Sequence, residues 1–385
     1  MAAAAASSAI GLHRLSNVIT RERFVSTLAA LAGLRAWRGA LFTANIHVCF
    51  FTLFYLLLVT DFQRSSVEAA LLLLSLVLYQ SYGFLVNDYF DMPYDKLVGK
   101  EHGLAKLEKW QVVSLLVTLA GSSNVLLFSV QHDWVSEALF AMAYLLATLY
   151  SAPPVRLKGR GILSFICDIL IEKTLPVFII FSFFQHYGLD TILILLLITT
   201  LQFNTVLEQQ VDDCDSDARV GTRTLAVRMG EYSARKILRG IFYPLNMISI
   251  VLLVAIVPLW LPMTLTGLVI GSAILALGFL GLRASSNNSP VSSERGEERF
   301  VKLARLLYNS REMPMGLAYL NAGFEVIIIS TLGVYVVLKY FACIVLLLFY
   351  AGSLYYYSGL YWTYFVEFIT LARNNLRVRS HTADK

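Results

Sequence analysis

Seven aspartates gathered in two short clusters carry the strongest chemical signal in this chain. The first cluster reads Asn87-Asp88-Tyr89-Phe90-Asp91-Met92-Pro93-Tyr94-Asp95, and the second holds Asp212, Asp213, Asp215 and Asp217. Asn87, Asp91 and Asp95 recur at i, i+4 and i+8, so a helix projects them from one face with Asp88 beside them. Gln209, Asp213 and Asp217 repeat that spacing with Asp212 alongside, whereas Asp215 turns about 200° away. Grouped carboxylates repel one another, and a membrane boundary solvates them poorly. A hard divalent cation with oxygen ligands relieves both problems, and Mg²⁺ commonly completes its shell with phosphate oxygens. Basic residues follow each cluster: Arg156, Lys158 and Arg160 in the stretch Tyr150–Gly161, then Arg223 and Arg228 in Gly221–Gly230. Such side chains clamp phosphate, arginine with a two-pronged fork.

These residues need a scaffold, and composition names it. The 385 residues are 57% hydrophobic and 15% charged, with a mean hydropathy of +0.65; soluble domains carry about a quarter charged residues. Ten apolar runs reach the length of a membrane crossing, at 38–60, 67–89, 111–130, 134–150, 163–185, 189–210, 237–258, 262–282, 314–337 and 340–370. Their length and lack of alternation predict helices, not barrel strands. The first acidic cluster then ends span 2 and the second ends span 6. That is the second helix of each of two four-helix blocks. Pro93 is expected to kink or end span 2.

Charge supports an even number of spans. With the N-terminus inside, all of the 31 Lys and Arg except Arg64, Lys173 and Lys339 fall on one side. The net charge of +5 therefore describes membrane orientation, and no nucleic-acid partner follows from it. Both termini and the acidic loops are expected on the cytoplasmic, or equivalent inner, side. Cysteines introduced at positions 10 and 380 should be labelled from the same face of the membrane; labelling from opposite faces would contradict the topology.

Three segments complete the organisation. Residues 1–36 form a basic arm that reads either as an interfacial helix, with Phe24, Leu28, Leu31 and Leu34 at helical spacing, or as an organellar transit segment. Residues 37–338 form the membrane domain, in which 284–300 is a polar loop. Residues 339–385 add a further transmembrane helix and a basic tail. Cys49, Cys167, Cys214 and Cys343 show no metal spacing and require no disulfide. Within the spans, Asn45, His47, Asp168, Glu172, Lys173, Glu208 and Glu325 are polar. Residues of this kind at membrane depth face a cavity or one another. Lys173 therefore either pairs with Asp168 or Glu172, or contacts a diphosphate while a carboxylate acts as base.

Taken in order, the first cluster, the Tyr150–Gly161 stretch and the Asp213–Gly230 stretch resemble the UbiA superfamily of intramembrane prenyltransferases over about residues 35–335. The resemblance implies an all-α polytopic bundle of nine transmembrane helices around a central cavity, with span 340–370 extra. Its Tyr355-Tyr356-Tyr357 and Glu367 inherit no role. The resemblance implies Mg²⁺ held by Asn87, Asp88, Asp91, Asp95, Asp213 and Asp217. Asp88, Asp91, Asp213, Asp217 and Lys173 would be catalytic. Asn87, Tyr150, Arg156, Lys158, Gln210 and Arg223 would contact the substrate. The implied partners are an isoprenyl diphosphate, a hydrophobic aromatic or lipid acceptor, and membrane lipids. An allylic carbocation would be steadied by aromatic faces, for which Tyr82, Phe84, Tyr89 and Phe203 are candidates. A terpene cyclase, using the substrate's own alkene in place of an acceptor, is the alternative. Many quinone-pathway relatives carry an Arg-Pro pair before span 3. This chain instead reads Lys96-Leu97-Val98-Gly99-Lys100, which points away from 4-hydroxybenzoate prenylation and haem O synthesis.

Overall fold

Lipid offers the backbone no hydrogen-bond partners, so apolar runs of this length satisfy their own amides as helices. A computed structural model describes residues 31–97, 99, 103–130, 133–260 and 328–355. The first span is broken into α1 (Arg35–Leu41) and α2 (Ala44–Val59). Next come α3 (Ser66–Leu97), α4 (Lys109–Val130) and α5 (Trp134–Ser151). A single helical run, α6, joins Ile162–Ile169, a π-helical turn Leu170–Thr174 and Leu175–Phe183. Then follow α7 (Leu189–Asp212), the short α8 (Cys214–Arg219) and α9 (Leu225–Met229). Another run, α10, is built from Glu231–Ile237, a second π turn Leu238–Phe242, and Tyr243–Trp260. The helices α11 (Ile328–Lys339) and α12 (Phe341–Tyr355) close the described chain.

Among the described residues there is no strand, and six helices are long and apolar enough to cross a membrane. The expected span 262–282, the loop 284–300, Glu325, Tyr356, Tyr357 and Glu367 lie outside the described residues, as do the first 30 residues of the basic arm.

Packing follows from the sequence at close quarters. Nearly every side chain of α2 is buried, including Phe50, Phe54, Tyr55 and Leu57, because helices cover it on all sides. Serines let α3 and α4 approach closely: Ser75 Oγ donates to the Ser123 carbonyl at 2.9 Å, and Ser123 Oγ returns the bond to Ser75 O at 2.8 Å.

One expectation needs correction. Pro93 neither ends span 2 nor interrupts it; α3 continues a further turn to Leu97 with Pro93 inside it. Proline has no N–H to give the Tyr89 carbonyl, so α3 runs through it with one backbone bond fewer, close to its end. The consequence is functional, because Asp95 stays on the helix that carries Asn87 and Asp91.

Candidate active site

Both acidic helix ends open into one cavity of about 850 Å³. Asn87, Asp88, Asp91 and Asp95 line it from α3, and Gln209, Gln210, Asp213 and Asp217 line it from α7 and α8. The helix breaks at Asp213, yet the Asp217 amide still donates to Asp213 O at 2.8 Å, which preserves the i+4 relation across the break. Asp212 and Asp215 are exposed and do not line the cavity; Asp212 lies 4.0 Å from Arg235. Cys214, between the two acidic positions, has its thiol pushed up by desolvation and by neighbouring Asp215, Glu231 and Asp217. It therefore stays protonated and makes a poor ligand for a hard cation.

Basic side chains cross-link the first cluster to the loop after α5. Arg156 Nη2 donates to Asp91 Oδ1 at 3.1 Å, and Lys158 Nζ to Asp91 Oδ2. The Asn87 amide oxygen accepts from Ser151 Oγ at 3.2 Å and from Lys158 Nζ at 3.4 Å. Arg156 sits in the left-handed region at φ 36° and lays its guanidinium 3.8 Å from the centroid of Tyr94. Arg35, expected in the basic arm, instead opens α1 and pairs with Asp88 at 3.4 Å. Gly39, one helical turn on, packs where a Cβ would lie 2.7 Å from the Phe84 ring, so only glycine allows α1 so close to α3.

The loop after α7 contributes differently from expectation. Arg223 is exposed and absent from the cavity wall. It is the backbone of this loop that holds position: Gly161 N donates to Arg223 O at 3.0 Å, and Gly161 and Thr224 form a parallel bridge. Gln210 is buried in the wall, and its side-chain oxygen accepts from the Leu225 amide at 3.1 Å and the Ala226 amide at 3.4 Å. Its carbonyl thus caps α9 and ties the loop to α7.

Further in, α6 supplies Asp168, Ile171, Glu172 and Lys173 to the wall. Residues three and four apart share a helical face, and the i+5 bonding of the π turn brings Lys173 round to join them. Tyr150 OH donates to Asp168 Oδ2 at 3.2 Å, and Gln202 Nε2 to Glu172 Oε2 at 2.5 Å. Lys173 is 1% exposed and beside Glu172. The polar residues of α6 thus lie together and face the cavity.

Of the four aromatic candidates, only Phe84 lines the cavity. Tyr82 OH is bonded to Thr148 Oγ1 at 2.8 Å, Tyr89 packs on Phe90, and Phe203 packs at a tilt against Phe165 and Phe242. The aromatic wall is instead Phe42, Tyr79, Phe84, Tyr94 and Tyr150. Arg38, Phe42 and Tyr79 were missed from sequence, although Arg35 and Arg38 at i and i+3 before the first apolar run were a usable signal.

Among the described residues no three His, Cys, Asp or Glu converge to hold a metal by themselves. The donors present are carboxylate and amide oxygens on two sides of one cavity. That set fits Mg²⁺, which keeps water and substrate phosphate oxygens in its shell.

The UbiA prenyltransferase family model matches residues 48–306, more than half of the chain. Two hop (Humulus lupulus) proteins, a 2-acylphloroglucinol 4-prenyltransferase and a chloroplastic form of the same activity, are each 23% identical over 155 residues. Those alignments cover 38% of this chain and 37% of the relatives, little more than a third of their length. Among solved structures the chain is similar to a UbiA homolog from Archaeoglobus fulgidus bound to GPP and Mg²⁺. Identity there is 17% and the TM-score 0.47, over 77% of this chain and 99% of that one. Digeranylgeranylglyceryl phosphate synthase is similar at 15% identity and a TM-score of 0.48, over 77% and 98%. With a family match over more than half its length and a bundle of long apolar helices to carry it, this chain belongs to the UbiA prenyltransferase family and is a multi-pass membrane protein.

Proposed function

We propose that the protein moves an isoprenyl group from an allylic isoprenyl diphosphate to an oxygenated aromatic or lipid acceptor, in a Mg²⁺-dependent reaction through a carbocation. One observation carries this reading: two acidic helix ends and the amines of Lys158 and Lys173 line a single cavity that runs on between apolar helices. The hop relatives' action on an acylphloroglucinol supports a phenolic acceptor.

Asn87, Asp88, Asp91, Asp95, Asp213 and Asp217 would hold Mg²⁺, which neutralises diphosphate charge and so improves the leaving group. Arg35, Arg38, Lys158 and Lys173 would hydrogen-bond the phosphate oxygens and orient the C–O bond for cleavage. The bonding pair leaves with diphosphate, and the allylic cation faces a wall of Phe84 and Tyr79 that excludes water and offers π-faces. The acceptor's nucleophilic carbon or oxygen forms the new bond and then loses a proton. Asp168 and Glu172 are the carboxylates in the wall available to take it.

The test is incubation of purified protein with Mg²⁺ and radiolabelled geranyl diphosphate, with and without a membrane extract that supplies phenolic acceptors. Labelled product that forms only with the extract is expected. Product formed without any acceptor would assign a terpene cyclase instead, and failure to release diphosphate in either arm would refute the proposal.

A further inference from the structure

The break in the first span is where the cavity gains six of its residues, from Arg35 through Asn45. Breaking a helix leaves backbone carbonyls at the end of its first half without intrahelical partners. At Leu41, the last residue of α1, the carbonyl accepts a 2.7 Å bond from Ser353 Oγ, a side chain on α12 that is 1% exposed. Ser353 Oγ also lies 3.0 Å from His47 Nε2, on the first turn of α2. A hydroxyl has one proton, and the carbonyl can only accept it, so His47 must donate to the serine oxygen through Nε2–H. A single hydroxyl on α12 therefore ties together both halves of the broken span.

The docking of α12 does not depend on that hydroxyl. Tyr350 packs against Phe50, Phe54 and His47, and Phe349 meets Phe50 with ring centroids 5.4 Å apart. The hydroxyl sits at the hinge where α1 meets α2. On the far side of that hinge α1 carries Arg35, paired with Asp88, and Arg38, which faces the cavity.

We propose that Ser353 is a positioning residue for the active site and that α12, the helix beyond the bundle implied by the family resemblance, is part of the catalytic architecture because it fixes the hinge carrying Arg35 and Arg38. The inference rests on the proposed function, in which those arginines meet the diphosphate.

The experiment uses the full chain in lipid nanodiscs with Mg²⁺ and a radiolabelled, non-hydrolysable allylic probe, geranyl S-thiolodiphosphate. Ser353→Ala is expected to weaken probe binding about five- to tenfold, the equivalent of one well-made hydrogen bond. Ser353→Thr, which keeps the hydroxyl, should restore binding to within about twofold. In an Arg38→Gln background, Ser353→Ala should add less than about twofold, because the serine acts through the arginine. Unchanged binding by Ser353→Ala, failure of threonine to rescue, or full additivity with Arg38→Gln would overturn the proposal. If the unaltered protein binds no probe, it is the proposed function that fails, and the hinge is then read from labelling. The rate at which a charged thiosulfonate modifies Arg38→Cys should change severalfold when Ser353→Ala is added. An unchanged rate would overturn the positioning role.

Discussion

Asp91→Asn and Asp213→Asn should each slow diphosphate release by roughly a hundredfold to a thousandfold, whereas Asp215→Asn should leave it within about twofold. The three residues are chemically alike and two of them are near neighbours, so only placement separates them. Asp91 is buried at the α3 end of the cavity and accepts from Arg156 and Lys158. Asp213 lines the same cavity from the junction of α7 and α8, together with Asp217. Asp215 is exposed and outside the cavity. Loss of one charged oxygen ligand from a site that stabilises a leaving diphosphate should cost about 3–4 kcal/mol of transition-state stabilisation, by analogy with the loss of one oxyanion donor. Thermal unfolding of each variant, measured alongside, separates this from misfolding. Asp213 is exposed, so its replacement disturbs no core. If Asp215→Asn proved as damaging as Asp213→Asn, the second site would be a diffuse acidic patch and the two-sided clamp would be wrong.

Removing divalent cations should have an effect at least as large. Excess EDTA is expected to abolish turnover, and added Mg²⁺ to restore it. The donors around the cavity are carboxylates and amides with no histidine or reactive thiolate among them, which is the chemistry of a hard cation. Without the cation, six acidic and amide side chains would confront a diphosphate directly, and like charges would repel substrate from the site. Full turnover in excess EDTA would contradict this.

The acidic clusters, their helical spacing and their place at helix ends were legible in the sequence because carboxylates in an apolar chain stand out. Span boundaries were legible for the same reason: the expected 111–130 and 134–150 are helices Lys109–Val130 and Trp134–Ser151. The choice of aromatic wall was not. In lipid, a side chain facing the bilayer and one facing an apolar cavity are equally hydrophobic, so periodicity does not separate Tyr79 from Tyr82. Arg223 misled for a related reason, since positive charge in an inner loop serves orientation as readily as binding. The Lys173 position depended on a π turn, which leaves no simple sequence signature. The Ser353–Leu41 bond joins residues 312 apart, beyond anything local pattern reveals.

The account stands most directly on where the diphosphate binds. A structure of the full chain with Mn²⁺ in place of Mg²⁺ and geranyl S-thiolodiphosphate would show this through anomalous scattering. The account predicts Mn²⁺ peaks about 2.1 Å from carboxylate oxygens of both the Asp88–Asp95 and the Asp213–Asp217 groups, with diphosphate density between them. Diphosphate bound elsewhere, or metal peaks that touch neither acidic group, would contradict it.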